Sequence, residues 1–481
     1  MNSQLHPAFG GGATDSIMTP FGLALLVIAI ALVLVLPRKW VIVPLLAFEF
    51  LTPIGQQLNI GGLHFFALRI LILCGCARFL LPSSSTRSVL AGGFSGIDKV
   101  FLVWSLCRAT AFMLLYHEGG AVAKQLGFLW DYLGGYFLVR CLIRDVDDIR
   151  RIAEAFVVIA AIMAACMVYE HYKLTDIFYT LLAPQADMGA QIRLGKIRCR
   201  GPFEQEIIAS VFGGTLVPFF LWLWTRPKAR IAAALGLVSA LLIVLTAHSS
   251  TGIGAAGFGV GTLCLWPYRK YLRRMQWGFV ALIVALALTM KAPIWYLIAR
   301  VDFIGGSTGW DRAFLIDQCV KHFSSWWLIG TADSATWGVS QNALFLWDLC
   351  NQFVAEAVQG GLLTLILFLV LIVRSFRRVG AARTKARNRT HEWLLWTIGC
   401  ILCAHIGGFF GISYFDQIRN WWFVTLAMIP AATMAVRVSA VKRLKPVSTQ
   451  DLVSALEVVG SEESNTVGVR STDSPVVSRP F

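Results

Sequence analysis

Residues 17–37 read IMTPFGLALLVIAIALVLVLP, a run without a charged side chain. Its apolar residues follow one another without the in–out alternation of a barrel strand. The run is long enough for a helix to cross a hydrocarbon layer, which takes roughly 17–25 residues. The pattern recurs along the chain, at about 40–55, 62–82, 97–116, 121–140, 152–170, 205–224, 230–248, 250–267, 277–297, 351–373, 392–411 and 417–436. Thirteen spans of about 20 residues would occupy roughly 260, just over half of the 481. Composition agrees: 57% of the chain is hydrophobic and 14% charged, where a soluble domain has about 45–50% apolar and 25% charged residues. A soluble enzyme, a disordered chain and a nucleic-acid-binding domain are thereby excluded as the main body. The expected fold is an all-α polytopic membrane protein of about 13 transmembrane helices with two large external loops.

The net charge of +15 comes from 42 Lys and Arg against 27 Asp and Glu. Cytoplasmic loops of membrane proteins collect Lys and Arg. With thirteen spans, the clusters at 38–39, 78–99, 140–151, 226–230, 269–274, 374–389 and 437–479 all fall on one side and hold 29 of the 42 basic residues. That side reads as cytoplasmic. Residues 1–16 are then external, 17–437 form the bundle, external loops cover about 171–204 and 298–350, and 438–481 form a disordered cytoplasmic tail. The first sixteen residues lack Lys and Arg, so no basic n-region of a secretory signal is evident and the first span is expected to be retained.

The informative basic residues are those that break this rule. Arg69 and Arg108 lie inside spans, as does Asp131, and intramembrane ionisable residues are paired or functional. Eleven more lie outside: Lys124, Lys173, Arg193, Lys196, Arg198, Arg200, Lys291, Arg300, Arg312, Lys321 and Arg419. Four of these fall in RLGKIRCR (193–200). Guanidinium forks suit the bidentate acceptor geometry of a diphosphate. The other reading of the cluster is pairing with Asp176, Asp187, Glu204 or Glu206, or attraction to lipid headgroups. The cluster runs into GPFEQE (201–206), where acidic residues also suit the first turn of a helix.

The second external loop holds STGWDR (307–312), KHFSSWWLIG (321–330) and WDLCNQ (347–352). Tryptophan faces beside Asp, His and Asn suit a sugar, with its apolar faces and hydroxyl edges. An interfacial loop packed on headgroups would also use tryptophan. His405 reads as an interior histidine. The eleven cysteines form no framework, although Cys199, Cys319 and Cys350 fall in external loops. No strong metal motif, phosphate-binding glycine loop or serine-nucleophile elbow is present.

Three stretches together resemble the O-antigen ligase and Wzy-type polysaccharide polymerase superfamily. They are RCRGPFEQEIIASVFGGTLVPFFL (198–221), LTAHSSTGIGAAGFGVGTL (245–263), and the long loop ending in WDLCNQFVAEAVQGGLL (347–363). The likeness covers roughly 60–437. Many members have an arginine where Thr251 stands, and ligases often have a histidine where Cys350 precedes Asn351. These departures make the chain look more like the exopolysaccharide polymerases of the family.

The resemblance implies a GT-C-type glycosyltransferase bundle in the bacterial inner membrane. Its donor would be an undecaprenyl diphosphate-linked oligosaccharide and its acceptor a glycan, with no cofactor, no metal and no nucleic acid. Membrane lipids, a chain-length regulator and a flippase would be its partners. Arg193, Arg198, Arg200 and Arg312 would hold the diphosphate. Asp348 is the expected general base, with Asp311 and His322 behind it. Trp310, Trp326, Trp327 and Asn351 would hold sugar. The alternatives are the ligase reaction onto lipid A core and a lipid-linked oligosaccharide flippase or transporter.

Overall fold

The computed structural model describes residues 18–60, 63–80, 90–183, 191–193, 195–300, 309–337 and 349–442. The chain forms two compact units, Met1–Ala435 and Val436–Phe481. Among the described residues the protein is a bundle of α-helices with two short β-hairpins. In order the helices are α1 (Pro20–Val35), α2 (Arg38–Leu51), α3 (Ala67–Leu80), α4 (Gly96–Tyr116), α5 (Gly119–Leu129), α6 (Gly135–Leu142), α7 (Val146–Lys173), α8 (Ile177–Leu182), α9 (Glu206–Trp224), α10 (Arg230–Thr246), α11 (Ser250–Cys264), α12 (Leu272–Thr289), α13 (Gly309–Lys321), α14 (Phe323–Trp326), α15 (Gln352–Lys385), α16 (Arg389–Phe409) and α17 (Asp416–Lys442).

Among the described residues, eight helices are long and apolar enough to cross a membrane. The other five stretches expected as spans coincide with shorter or interrupted helices. α1, α2, α3 and α11 have 16, 14, 14 and 15 residues. A π-helical turn, Trp130–Gly134, separates α5 from α6. The run expected at 62–82 loses its first residues to the hairpin of β1 (Gln57–Ile60) and β2 (Leu63–Phe66). There Gln57, Asn59 and His64 alternate with apolar neighbours, the two-residue period of a strand. The expected boundary at 437/438 falls within α17; residues 1–16 and 443–481 lie outside the described residues.

Side-chain caps set several helix starts. Thr19 Oγ1 accepts from Gly22 N at 3.1 Å before α1. Ser95 and Asp98 form a capping box on α4, which satisfies two otherwise orphaned amides. Asn351 caps α15, its Oδ1 accepting from the amides of Phe353 and Val354.

The core centres on α9, apolar on all sides and buried along most of its length, as a helix enclosed by other helices should be. It packs against α7, α10, α11 and α16. α11 comes so close that a Cβ on Gly252 would overlap Ser210 of α9. Small residues permit such backbone approach between membrane helices. At the other extreme, α12 buries none of its residues.

The two ends of the bundle differ in chemistry. At one end Arg78 donates to Val33 O, and Arg38 donates to Leu142 O and Asp148. There Arg383 and Arg269 share Glu392, and the fully buried Arg140 pairs with Asp98 at 3.3 Å. Arg38, Arg78, Arg140, Arg269 and Arg383 come from five of the seven basic clusters expected on one side. The opposite end carries both hairpins and the described part of the long loop, 309–337.

Candidate functional site

The stretch 193–200 begins as a β-hairpin. β3 (Gln191–Arg193) pairs antiparallel with β4 (Lys196–Arg198), register Gln191↔Arg198 and Arg193↔Lys196. Successive strand residues face opposite ways, so Arg193, Lys196 and Arg198 share one face and Ile192 and Ile197 the other. Arg198 is buried and ion-paired with Glu206, the first residue of α9. Burial pulls its pKa below the usual guanidinium value; Glu206 opposes this, and Arg193 and Arg312 lower it further. Those repulsions place three guanidinium groups together.

Arg200 turns elsewhere. Its Nε lies 3.7 Å from Asp176 and its guanidinium 5.0 Å from the Tyr179 ring centroid. The amides of Arg200 and Gly201 each donate to Glu170 at 3.1 Å. A carboxylate of the protein thus already fills the anion-binding concavity of this turn. Asp176 keeps a raised pKa, about 6, because burial outweighs its bonds from Tyr179 N and Phe178 N and the nearby Arg200. Both pairings are among those weighed for this cluster; Asp187 lies outside the described residues.

Arg312 sits on the buried side of α13 and donates to Thr251 Oγ1 at 3.0 Å. Its neighbours Trp310 and Asp311 are exposed, with Trp310 stacked on Phe314 at 4.9 Å. Trp327 is also exposed, whereas Trp326 is buried in the loop core and donates its indole N–H to Cys319 O at 2.7 Å. A sugar platform needs a free ring face; Trp310 and Trp327 are exposed, and Trp326 is packed within the core. His322 stacks on Trp337 at 5.1 Å, its Nδ1 2.9 Å from Gln318 O. Asn351 spends its oxygen on the α15 cap, and its Nδ2 is buried without a partner among the described residues. Asp348 lies outside the described residues.

The WWLIG segment docks on a break in α15. Gly361 has φ 75° and ψ −176°, and Gly330 has φ 96°, both in the region that favours glycine. Leu362 N donates to Trp327 O and Thr331 N to Val358 O, each at 2.9 Å. The long loop is therefore joined to the bundle by backbone contacts at this break.

No protein-family model matches the chain, and no curated protein matches it.

Two adjoining cavities open at this end, of about 180 and 600 Å³. Both are lined by Lys124, Phe128, Phe415 and Arg419. The larger one adds Glu49, Arg69, Asp131, Glu204 and Asp416. Arg69 grips Asp131 with two bonds of 2.9 Å, so Asp131 takes Arg69 rather than Arg108. Arg108 donates to Tyr132 and Gln359 and lies 3.8 Å from the buried Glu356. Glu356 also accepts from Trp104 at 3.0 Å and from Gln352 at 2.6 Å. His405 is fully buried, its nitrogens beside Tyr414 and Thr425 hydroxyls, which is an interior role.

Sequence reasoning singled out Arg69, Arg108, Lys124 and Arg419 separately, without placing them around one space. It passed over Glu49, Gln352, Glu356 and Gln359. A signal was present: Glu49 interrupts the apolar run LLAFEFL (45–51), and Gln352, Glu356 and Gln359 recur at the spacing of one helix face.

Proposed function

We propose that the protein joins lipid-linked oligosaccharide repeat units into an exopolysaccharide or O-antigen on the outer face of the bacterial inner membrane. In this reading the thirteen helical stretches all traverse the bilayer as a GT-C-type bundle. The N-terminus and the long loop are periplasmic and the C-terminus is cytoplasmic. The observation that carries it is the gathering of Arg193, Arg198 and Arg312 at the start of α9, at the end of the bundle away from the basic clusters. Positive charge there opposes insertion by the charge rule and calls for an anionic ligand.

The reaction follows from the ligand. An acceptor hydroxyl forms a bond to the anomeric carbon of the donor glycan. The bond from that carbon to the undecaprenyl diphosphate oxygen breaks, and the electron pair leaves with the diphosphate. Arg193, Arg198 and Arg312 stabilise the charge that grows on it, as preorganised donors do. Arg200, engaged with Asp176 and Tyr179, supports the turn instead. The hydroxyl proton passes to a base, for which Asp348 is the candidate, or to water. Trp310 and Trp327 offer exposed rings to sugar.

The test is chain growth in proteoliposomes supplied with a lipid-linked repeat unit. Arg198→Ala and Arg312→Ala each lower the rate by about 10²–10³, the cost of one such donor. Wild-type chain growth in both variants would remove the diphosphate role. Donor crossing the bilayer without joining of repeats would replace the polymerase with a flippase, and transfer to lipid A core alone with a ligase.

A further inference from the structure

The smaller cavity, about 180 Å³, is lined by Arg108, Lys124 and Arg419 and, among the described residues, by no carboxylate. Arg108 has its own acceptors in Gln359 and Glu356. Arg419 does not. It is 9% exposed, and its Nε is buried without a partner among the described residues. It makes no ion pair or hydrogen bond there, and its guanidinium lies over the Tyr132 ring at 4.9 Å. Lys124 Nζ stands about as far from the rings of Phe112 and Phe128, at 6.0 and 5.9 Å. Glu49 and Asp416 attract Arg419 from the neighbouring cavity without forming an ion pair. A buried guanidinium without a bound acceptor is a standing cost to the empty protein. Such a cost is retained where a ligand repays it.

We propose that this cavity is a second anion site, separate from the cluster of Arg193, Arg198 and Arg312, and that it takes a phosphoryl group. Three cationic side chains from α4, α5 and α17 converge on one space, matching the several peripheral oxygens of a phosphate or diphosphate. Gln125 lines the same space, whereas Gln352 and Tyr414 are engaged with Glu356 and His405. A liquid water occupies about 30 Å³, so the space of about 180 Å³ holds about six and suits a phosphate or diphosphate head. A larger substituent would extend into the adjoining 600 Å³ cavity. The phosphoryl group belongs either to a prenyl lipid head or to a soluble phosphate ester.

The experiment uses purified full-length protein in lipid nanodiscs, titrated calorimetrically with inorganic pyrophosphate. Binding persists in the Arg198→Ala/Arg312→Ala double variant. On that background Arg419→Gln or Lys124→Gln weakens it about 10-fold or more, the range for a charge-assisted bond, whereas Arg419→Lys retains most of it. Without ligand, Arg419→Met raises the thermal midpoint, because an unpaired charge is gone; a merely structural arginine would give a fall. Geranyl diphosphate binding more tightly than pyrophosphate assigns the lipid head, and equal affinities assign a soluble ester.

Undiminished pyrophosphate binding in Arg419→Gln overturns the proposal. So does loss of all binding in the double variant, or a preference for glucuronate over pyrophosphate. None of these readouts requires chain growth, so failure of the polymerase reading leaves this site standing or falling by itself.

Discussion

Replacing Gly361 by alanine tests how the long loop is held on the bundle. Gly361 lies within α15 at φ 75° and ψ −176°, a conformation that is essentially glycine-only and costs another residue about 1–3 kcal/mol. An added Cβ would stand 2.5 Å from Leu328 O, so segment 327–331 must retreat. That retreat strains the bonds Leu362 N to Trp327 O and Thr331 N to Val358 O, both 2.9 Å. Each contributes about 0.5–1.5 kcal/mol net. Together the loss is about 2–6 kcal/mol. Gly254→Ala is the control, since its Cβ would meet open space on α11 and alanine gains about 0.5–1 kcal/mol in a helix. Tryptophan fluorescence during heating in nanodiscs reads both variants. Gly361→Ala unfolds several degrees earlier than wild type, while Gly254→Ala does not. A wild-type midpoint for Gly361→Ala would refute the argument that the break in α15 is required.

Two further outcomes follow from the ion pairs. The Asp176 pKa is raised from 3.8 to about 6, so between those values the folded protein binds more protons than the unfolded chain, and stability falls as pH rises. The loss is about 3 kcal/mol at 1.36 kcal/mol per pKa unit, is complete above about pH 6, and is absent in Asp176→Asn, which keeps the helix cap; a pH series of thermal midpoints checks it. For the Arg69–Asp131 pair, Arg69→Met alone strands a carboxylate and lowers the midpoint, whereas Arg69→Met with Asp131→Leu restores much of the loss, because removing one partner costs about 3–5 kcal/mol and removing both far less. Additive losses in that double-mutant cycle would show that the pair is not coupled.

Much of the fold is legible along the chain because each apolar run is a local property. Residues 152–170 and 205–224 need no partner to be recognised, and both lie in helices, α7 and α9. The exceptions have local causes. The polar alternation of 57–64 makes a hairpin where a longer helix is expected. The turn Trp130–Gly134 splits one helix at a residue, Asp131, whose pairing with Arg69 reaches across the bundle. Of the candidate site, the tandem arginines of 193–200 were visible as misplaced charge, but their division was not. Whether Arg198 or Arg200 faces the Arg312 group depends on strand register and on Glu170 and Asp176, which lie up to thirty residues away in sequence.

By itself the sequence determined a helical membrane protein with basic clusters between its apolar runs, since hydropathy and charge add residue by residue. Only the tertiary structure decided which charges are neutralised. Arg69 and Arg108, inside apolar runs, and Arg419, counted outside them, carry no mark in the sequence of what each will face. Asp131 meets the first, Glu356 stands behind the second, and the third faces a cavity with the Tyr132 ring beneath it. Ion pairing falls off over a few ångströms, and distances on that scale between residues far apart in sequence exist only once the helices have packed.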